Sequence, residues 1–247
     1  MKNNYVTRVS LLVFTFLCSA LSWGQTTLAI QNFESSPATP TWSYSNTGGG
    51  VSTTNTGTPS NQRIRNDVRS YQIINTASAL TFNDVNVSGY NSVSVIIRVS
   101  SISVTTGNGA DAADYLRAFV KLNAASFLTN TQANSDITIN GNSNSRWGYN
   151  TSGVTTNAGT NSVVTGTTGT NAGTVYSTLT INIPNGTNTI GLRINSLNDD
   201  ANEIWCIDDV EIVGTLASSN TITTNTALVG SPFCVTSSTG ATVSVPF

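Results

Sequence analysis

Six of the twelve acidic residues of this chain fall within thirteen positions: Asp199, Asp200, Glu203, Asp208, Asp209 and Glu211. Glu34, Asp111 and Asp114 lie in two other segments with chemistry-bearing residues. Crowded carboxylates repel one another unless a cation neutralises them, and Ca²⁺ accepts six to eight oxygens from carboxylates, amides and carbonyls. The pattern leads us to expect one structural Ca²⁺ held by some of Glu34, Asp111, Asp114, Asp208 and Asp209. First and last strands of a sandwich are often neighbours, which would bring Glu34 near Asp208 or Asp209. Strand alternation sends Asp208 and Asp209 to opposite faces, so one of the two is the expected ligand. The alternative is that all these acids are turn residues and surface charges.

Aromatic residues offer a second chemistry. Arg146, Trp147 and Tyr149 stand in an amide-rich run over residues 140–150, and Trp42 and Tyr44 form a similar pair. Sugars stack C–H faces on rings and take hydrogen bonds from amides and Arg. Residues two apart in a strand share a face, so each pair could form a flat platform. The competing reading has each Trp plugging the end of a sandwich, because large aromatics are mostly buried. Trp205, between Ile204 and Ile207, reads as core.

Catalysis has little to work with. The chain has no His, which excludes His-dependent triads and His-ligated zinc. The simplest remaining chemistry is a carboxylate pair acting on a glycosidic bond, with Glu203 and Glu34 as candidates. Nothing in the sequence marks either as a raised-pKa acid, and a non-enzyme is expected.

Charged residues make up only 9% of the chain, far below the usual quarter. Asn, Thr, Ser and Gly take their place, which suits β-branched strands joined by Asn/Gly turns. Lys2 and Arg8 precede a short apolar run at residues 11–17, and Ser22 and Gly24 are small residues at a cleavage-type position. This reads as a secretion signal over residues 1–24, cut between Gly24 and Gln25, with a cut after Ala20 as the alternative. Removing it leaves eight basic against twelve acidic residues, a net charge of −4. Nucleic acid needs a basic face, so it is not an expected partner. No other segment is apolar enough to cross a membrane. The expected location is outside the cell or on its surface. Cys206 and Cys234 fall in different predicted domains, so no disulfide between them is expected, and Cys206 reads as a small buried apolar residue.

Strand patterns recur at residues 27–33, 68–74, 79–85, 92–99, 115–122, 136–140, 178–183, 189–194 and 204–213. Period-2 alternation broken by Gly, Asn or Pro predicts an all-β protein, an antiparallel β-sandwich or barrel without a long helix. Residues 47–66 and 143–174 read as long polar loops. The domain is expected over residues 25–214, with a linker at 215–220. Residues 221–247 start afresh and are too few to bury a core of their own. They read as the truncated start of another β domain in a longer protein.

Three segments carry a family resemblance: residues 29–34 (AIQNFE), 107–115 (GNGADAADY) and 197–212 (LNDDANEIWCIDDVEI). Together they resemble the jelly-roll, lectin-like module at the front of large secreted proteins of Bacteroidetes, especially flavobacteria. The closing segment is also similar to carbohydrate-binding and MAM-type jelly rolls. The resemblance implies an antiparallel jelly-roll β-sandwich over residues 26–214 and says little of the ligand. Residues 230–247 resemble the start of an Ig-like repeat, and relatives often end in a type IX secretion sorting domain. The function these readings imply is non-catalytic binding of extracellular polysaccharide or matrix. The alternative is a structural spacer or adhesin segment serving a downstream effector domain.

Overall fold

The computed structural model describes residues 24–167 and 176–217. The expected signal segment except Gly24, the last three residues of the expected linker and the expected Ig-like start lie outside the described residues. Fourteen strands follow one another: β1 (Thr26–Gln31), β2 (Tyr44–Thr47), β3 (Gly50–Ser52), β4 (Ser70–Ile74), β5 (Thr76–Phe82), β6 (Val85–Asn86), β7 (Tyr90–Ser103), β8 (Tyr115–Leu122), β9 (Ile137–Asn140), β10 (Ser152–Asn157), β11 (Ser162–Thr165), β12 (Tyr176–Asn182), β13 (Thr189–Asn198) and β14 (Glu203–Leu216). The only helical turn among the described residues is a 3₁₀ turn at Gln132–Asn134. No described helix is long and apolar enough to cross a membrane.

The strands form two sheets of a sandwich. One runs β10-β12-β7-β14-β4-β3, with β1 also on β14; the other runs β11-β9-β8-β13-β5-β2, with β6 on β13. Alternation along the strands builds the core between them. Val93, Val95, Ile97 and Val99 of β7 meet Ile190, Leu192 and Ile194 of β13 in one cluster of buried side chains. Burial on one face with polar residues on the other is what holds each strand in register.

The all-β sandwich is as expected, and three details differ from the sequence reading. Most strand pairs are antiparallel, but β10 pairs with β12 and β11 with β9 in parallel. The expected long loops contain β3, β10 and β11. These are short edge strands with solvent beside them, so they keep the polar Ser, Thr and Asn composition that reads as loop. The last strand runs through Thr215 and Leu216, two residues beyond the expected end of the domain.

A bulge in β14 has a consequence for the acids. Asp208 lies opposite Arg98 and Glu211 opposite Ile96. Three steps on β14 therefore match two on β7, and Asp209 absorbs the extra residue at φ 46°. Trp205, Ile207, Val210 and Ile212 all reach the core across this break. The side chains of Asp208 and Asp209 both turn to the 65–66 segment. The expectation of opposite faces fails because the bulge resets the alternation.

Candidate metal centre and polar cleft

Two connections cross between the sheets at one end of the sandwich. Residues 104–114 lead from β7 to β8, and residues 199–202 lead from β13 back to β14. Since β7 neighbours β14 and β8 neighbours β13, the crossings lie side by side. Asp111 and Asp114 stand on the first, and Asp199 and Glu203 flank the second. The geometry is tight: a Cβ on Gly141 would lie 2.1 Å from the Asp111 carbonyl oxygen.

Asp111, Asp114 and Asp199 each place a carboxylate oxygen within 4.8 Å of the others. Such a spread fits inside the roughly 5 Å that two ligands on opposite sides of one Ca²⁺ span. The group could hold a metal ion. Asp114 is 1% exposed and organises it: one carboxylate oxygen accepts from the Asp111 amide at 3.0 Å, the other from the Asp199 amide at 3.2 Å. The Asp111 carboxylate accepts from the Ala113 amide at 2.7 Å. Beside them stands Glu203, 4% exposed, with a buried Oε2 that has no hydrogen-bond partner. Burial, the Asp114 side chain, Asp111 and Asp200 raise its pKa to about 8. Burial also raises that of Asp114. The ion pairs among the described residues are Arg65–Asp209, Arg98–Glu211 and Lys121–Asp84, so none neutralises this group.

The expected ligand set is therefore split. Asp111 and Asp114 belong together, but Glu34, Asp208 and Asp209 serve the 65–69 segment. Glu34 accepts from the amides of Val68 at 3.0 Å and Arg69 at 2.6 Å. Asp208 accepts from the Arg65 amide at 2.9 Å. Asp209 pairs with the Arg65 guanidinium and accepts from the Asn66 amide group at 2.6 Å. Amide donors and an arginine fill the role expected of a cation. Burial and the neighbouring Asp209 raise the Asp208 pKa to about 7. Asp199 is absent from the expected set, and so is its neighbour across the turn, Glu203, which stands beside the three aspartates. The signal that could have found them is their position across the turn that joins two predicted strands.

The expected aromatic platforms are not exposed. Trp42 is 1% exposed, stacks at 4.7 Å on Phe82 and donates its indole N–H to the Asn83 carbonyl at 2.7 Å. Tyr44 shares its face, as expected, but that face is the core, among Phe33, Tyr71 and Phe82. Trp147 is fully buried edge-on against Trp205 at 5.2 Å. Tyr149 lies in a separate buried cluster with Ile102, Ile204 and Cys206, and its hydroxyl donates to the Arg63 carbonyl at 3.2 Å. Burial pushes that phenol well above 10 and the Cys206 thiol up to about 12. Arg146 is 5% exposed, with Nε and Nη1 buried and unpaired. Trp205 and Cys206 are core, as expected.

The same segment does border an opening. A cleft of about 490 Å³ is lined by Pro59, Ser60, Gln62, Gly148, Asn150, Thr151 and Ser152. The Gln62 side-chain oxygen accepts from the Tyr149 amide at 2.8 Å, which fixes that amide group in the cleft wall.

No family model and no curated protein matches the chain. Among solved structures, it is similar to the K3 cleaved adhesin domain of Lys-gingipain from Porphyromonas gingivalis w83. Identity is 13% and the TM-score 0.38, over 77% of this chain and 99% of that one. The K2 cleaved adhesin domain of Lys-gingipain is similar at 13% identity and a TM-score of 0.36, over 78% and 99%. Likeness at this level does not carry binding properties from one protein to another.

Proposed function

We propose that this chain is a non-catalytic carbohydrate-binding module of a secreted or cell-surface protein, with a structural Ca²⁺ at the acidic end of its sandwich. The cleft beside Gln62 carries the reading. Apart from Pro59, its lining is amide, hydroxyl and backbone, with no charged side chain. Such groups match the hydroxyls of a neutral polysaccharide, where a few placed polar groups fix orientation. The cleft holds no carboxylate pair to act on a glycosidic bond. The N-terminal secretion-type segment supports the extracellular location, and the three family-like segments support a jelly-roll module.

Retention on immobilised neutral polysaccharides tests this. The full chain should bind at least one, and Gln62→Ala with Asn150→Ala should weaken binding on the order of tenfold, the loss of one or two placed hydrogen bonds. Unchanged binding in the double variant would remove the cleft. A second reading, a spacer or adhesin segment with no glycan ligand, draws on the burial of Trp42 and Trp147, which leaves the cleft without a stacking ring. Absence of retention on every polysaccharide would favour it.

A further inference from the structure

We infer that Glu203 is the fourth carboxylate of a single Ca²⁺ site completed by Asp111, Asp114 and Asp199, and that the ion staples the two crossings between the sheets. This rests on reading the acidic end as a metal centre and is independent of the cleft.

Four observations lead to it. The three aspartates are within one ion's reach of each other. Glu203 is buried, faces Asp114 and has an Oε2 with no protein partner. An unpaired buried carboxylate oxygen is costly to leave unfilled, and a cation at the aspartates would fill it. No lysine or arginine forms an ion pair with the four acids among the described residues. The donors are all hard oxygens without a sulfur or imidazole, which favours Ca²⁺ over softer metals.

The placement gives the ion a mechanical role. Asp111 and Asp114 precede β8, and Asp199 and Glu203 bracket the β13–β14 turn. One ion bound to both would tie a connection leaving the β7 sheet to a connection returning to it. The bound form should therefore resist local opening of residues 104–114 and 199–202 more than the free form.

The test is equilibrium dialysis of EDTA-stripped full chain against CaCl₂, with melting and limited proteolysis followed in parallel. The expected result is one Ca²⁺ per chain, a higher Tm and slower cleavage at the two crossings when calcium is present. Glu203→Gln keeps the shape and removes the charge. It should melt close to wild type in EDTA, yet bind Ca²⁺ on the order of tenfold or more weakly, because ligand charge sets affinity. If that variant does not fold, Asp199→Asn, at an exposed position, should weaken binding similarly. A folded wild type that binds no calcium at millimolar concentration overturns the site. Calcium binding that is unchanged in both variants overturns the ligand assignment. Either failure leaves glycan retention at the cleft untouched, so the two readings fail separately.

Discussion

Truncating Trp147 to Ala separates a packed indole from a sugar platform. The side chain is fully buried and meets Trp205 edge-on at 5.2 Å. Burying an aromatic of this size removes about 150–250 Å² from water, worth about 4–6 kcal/mol at ~25 cal/mol per Å². The edge-on pair adds about 1 kcal/mol. Against this, the indole N–H is buried without an acceptor, a native-state cost of about 1–3 kcal/mol that the truncation removes. The net loss should be about 4 kcal/mol, within the range for Trp→Ala in cores. With an m-value of about 2 kcal/mol per M urea, the midpoint should fall by about 2 M. Urea unfolding followed by far-UV circular dichroism measures it. Trp42→Ala should cost about 1 kcal/mol more or beyond, because its N–H donates to Asn83 and the truncation leaves that carbonyl unpaired. A Trp147→Ala midpoint within about 0.3 M of wild type would refute the packing argument, since only exposed positions tolerate such changes within ~0.5 kcal/mol.

Two further outcomes follow from the same geometry. Asp208 holds its proton to about pH 7 in the folded chain, whereas an unfolded Asp releases it near 3.9. Between those values the folded state binds more protons, so this residue makes stability fall as pH rises, by up to about 4 kcal/mol across the window. Asp208→Asn keeps an acceptor for the Arg65 amide and should flatten the slope relative to wild type in urea titrations at pH 4 to 7; parallel slopes would contradict the shift. At Gly48, φ is +64° and a Cβ would sit 2.1 Å from the Ala77 carbonyl oxygen. Gly48→Ala should cost at least about 2 kcal/mol, whereas Gly186→Ala, at φ +83° with open space around it, should cost about 1 kcal/mol. Equal losses in thermal melts would show that the close approach does not matter.

The all-β class, the extent of β8, that of β9 to within one residue and the core role of Trp205 were legible from periodicity, and that of Cys206 from its residue type. Side-chain alternation is a local property, and a buried face imposes it on each strand separately. The polar edge strands β10 and β11 were not legible, because each packs only one or two side chains, Val154 and Val164 among them, on the core and so leaves a faint apolar trace. Of the acids singled out in the sequence, Asp111 and Asp114 do lie together, but their neighbour Asp199 was not among those chosen.

Only the tertiary structure decided which acids meet. The expected pairing of first and last strands suggested Asp208 or Asp209 beside Glu34, yet a one-residue bulge turns both toward Arg65 and Asn66. Asp199 and Glu203 instead reach Asp111 and Asp114, which lie 85 or more positions away, because two crossings run side by side. Likewise the face shared by Trp42 and Tyr44 follows from spacing, but whether that face meets water or the second sheet does not. Composition and alternation set what each strand buries; the bulge and the sheet order, which are long-range properties of the folded chain, set which charges end up together.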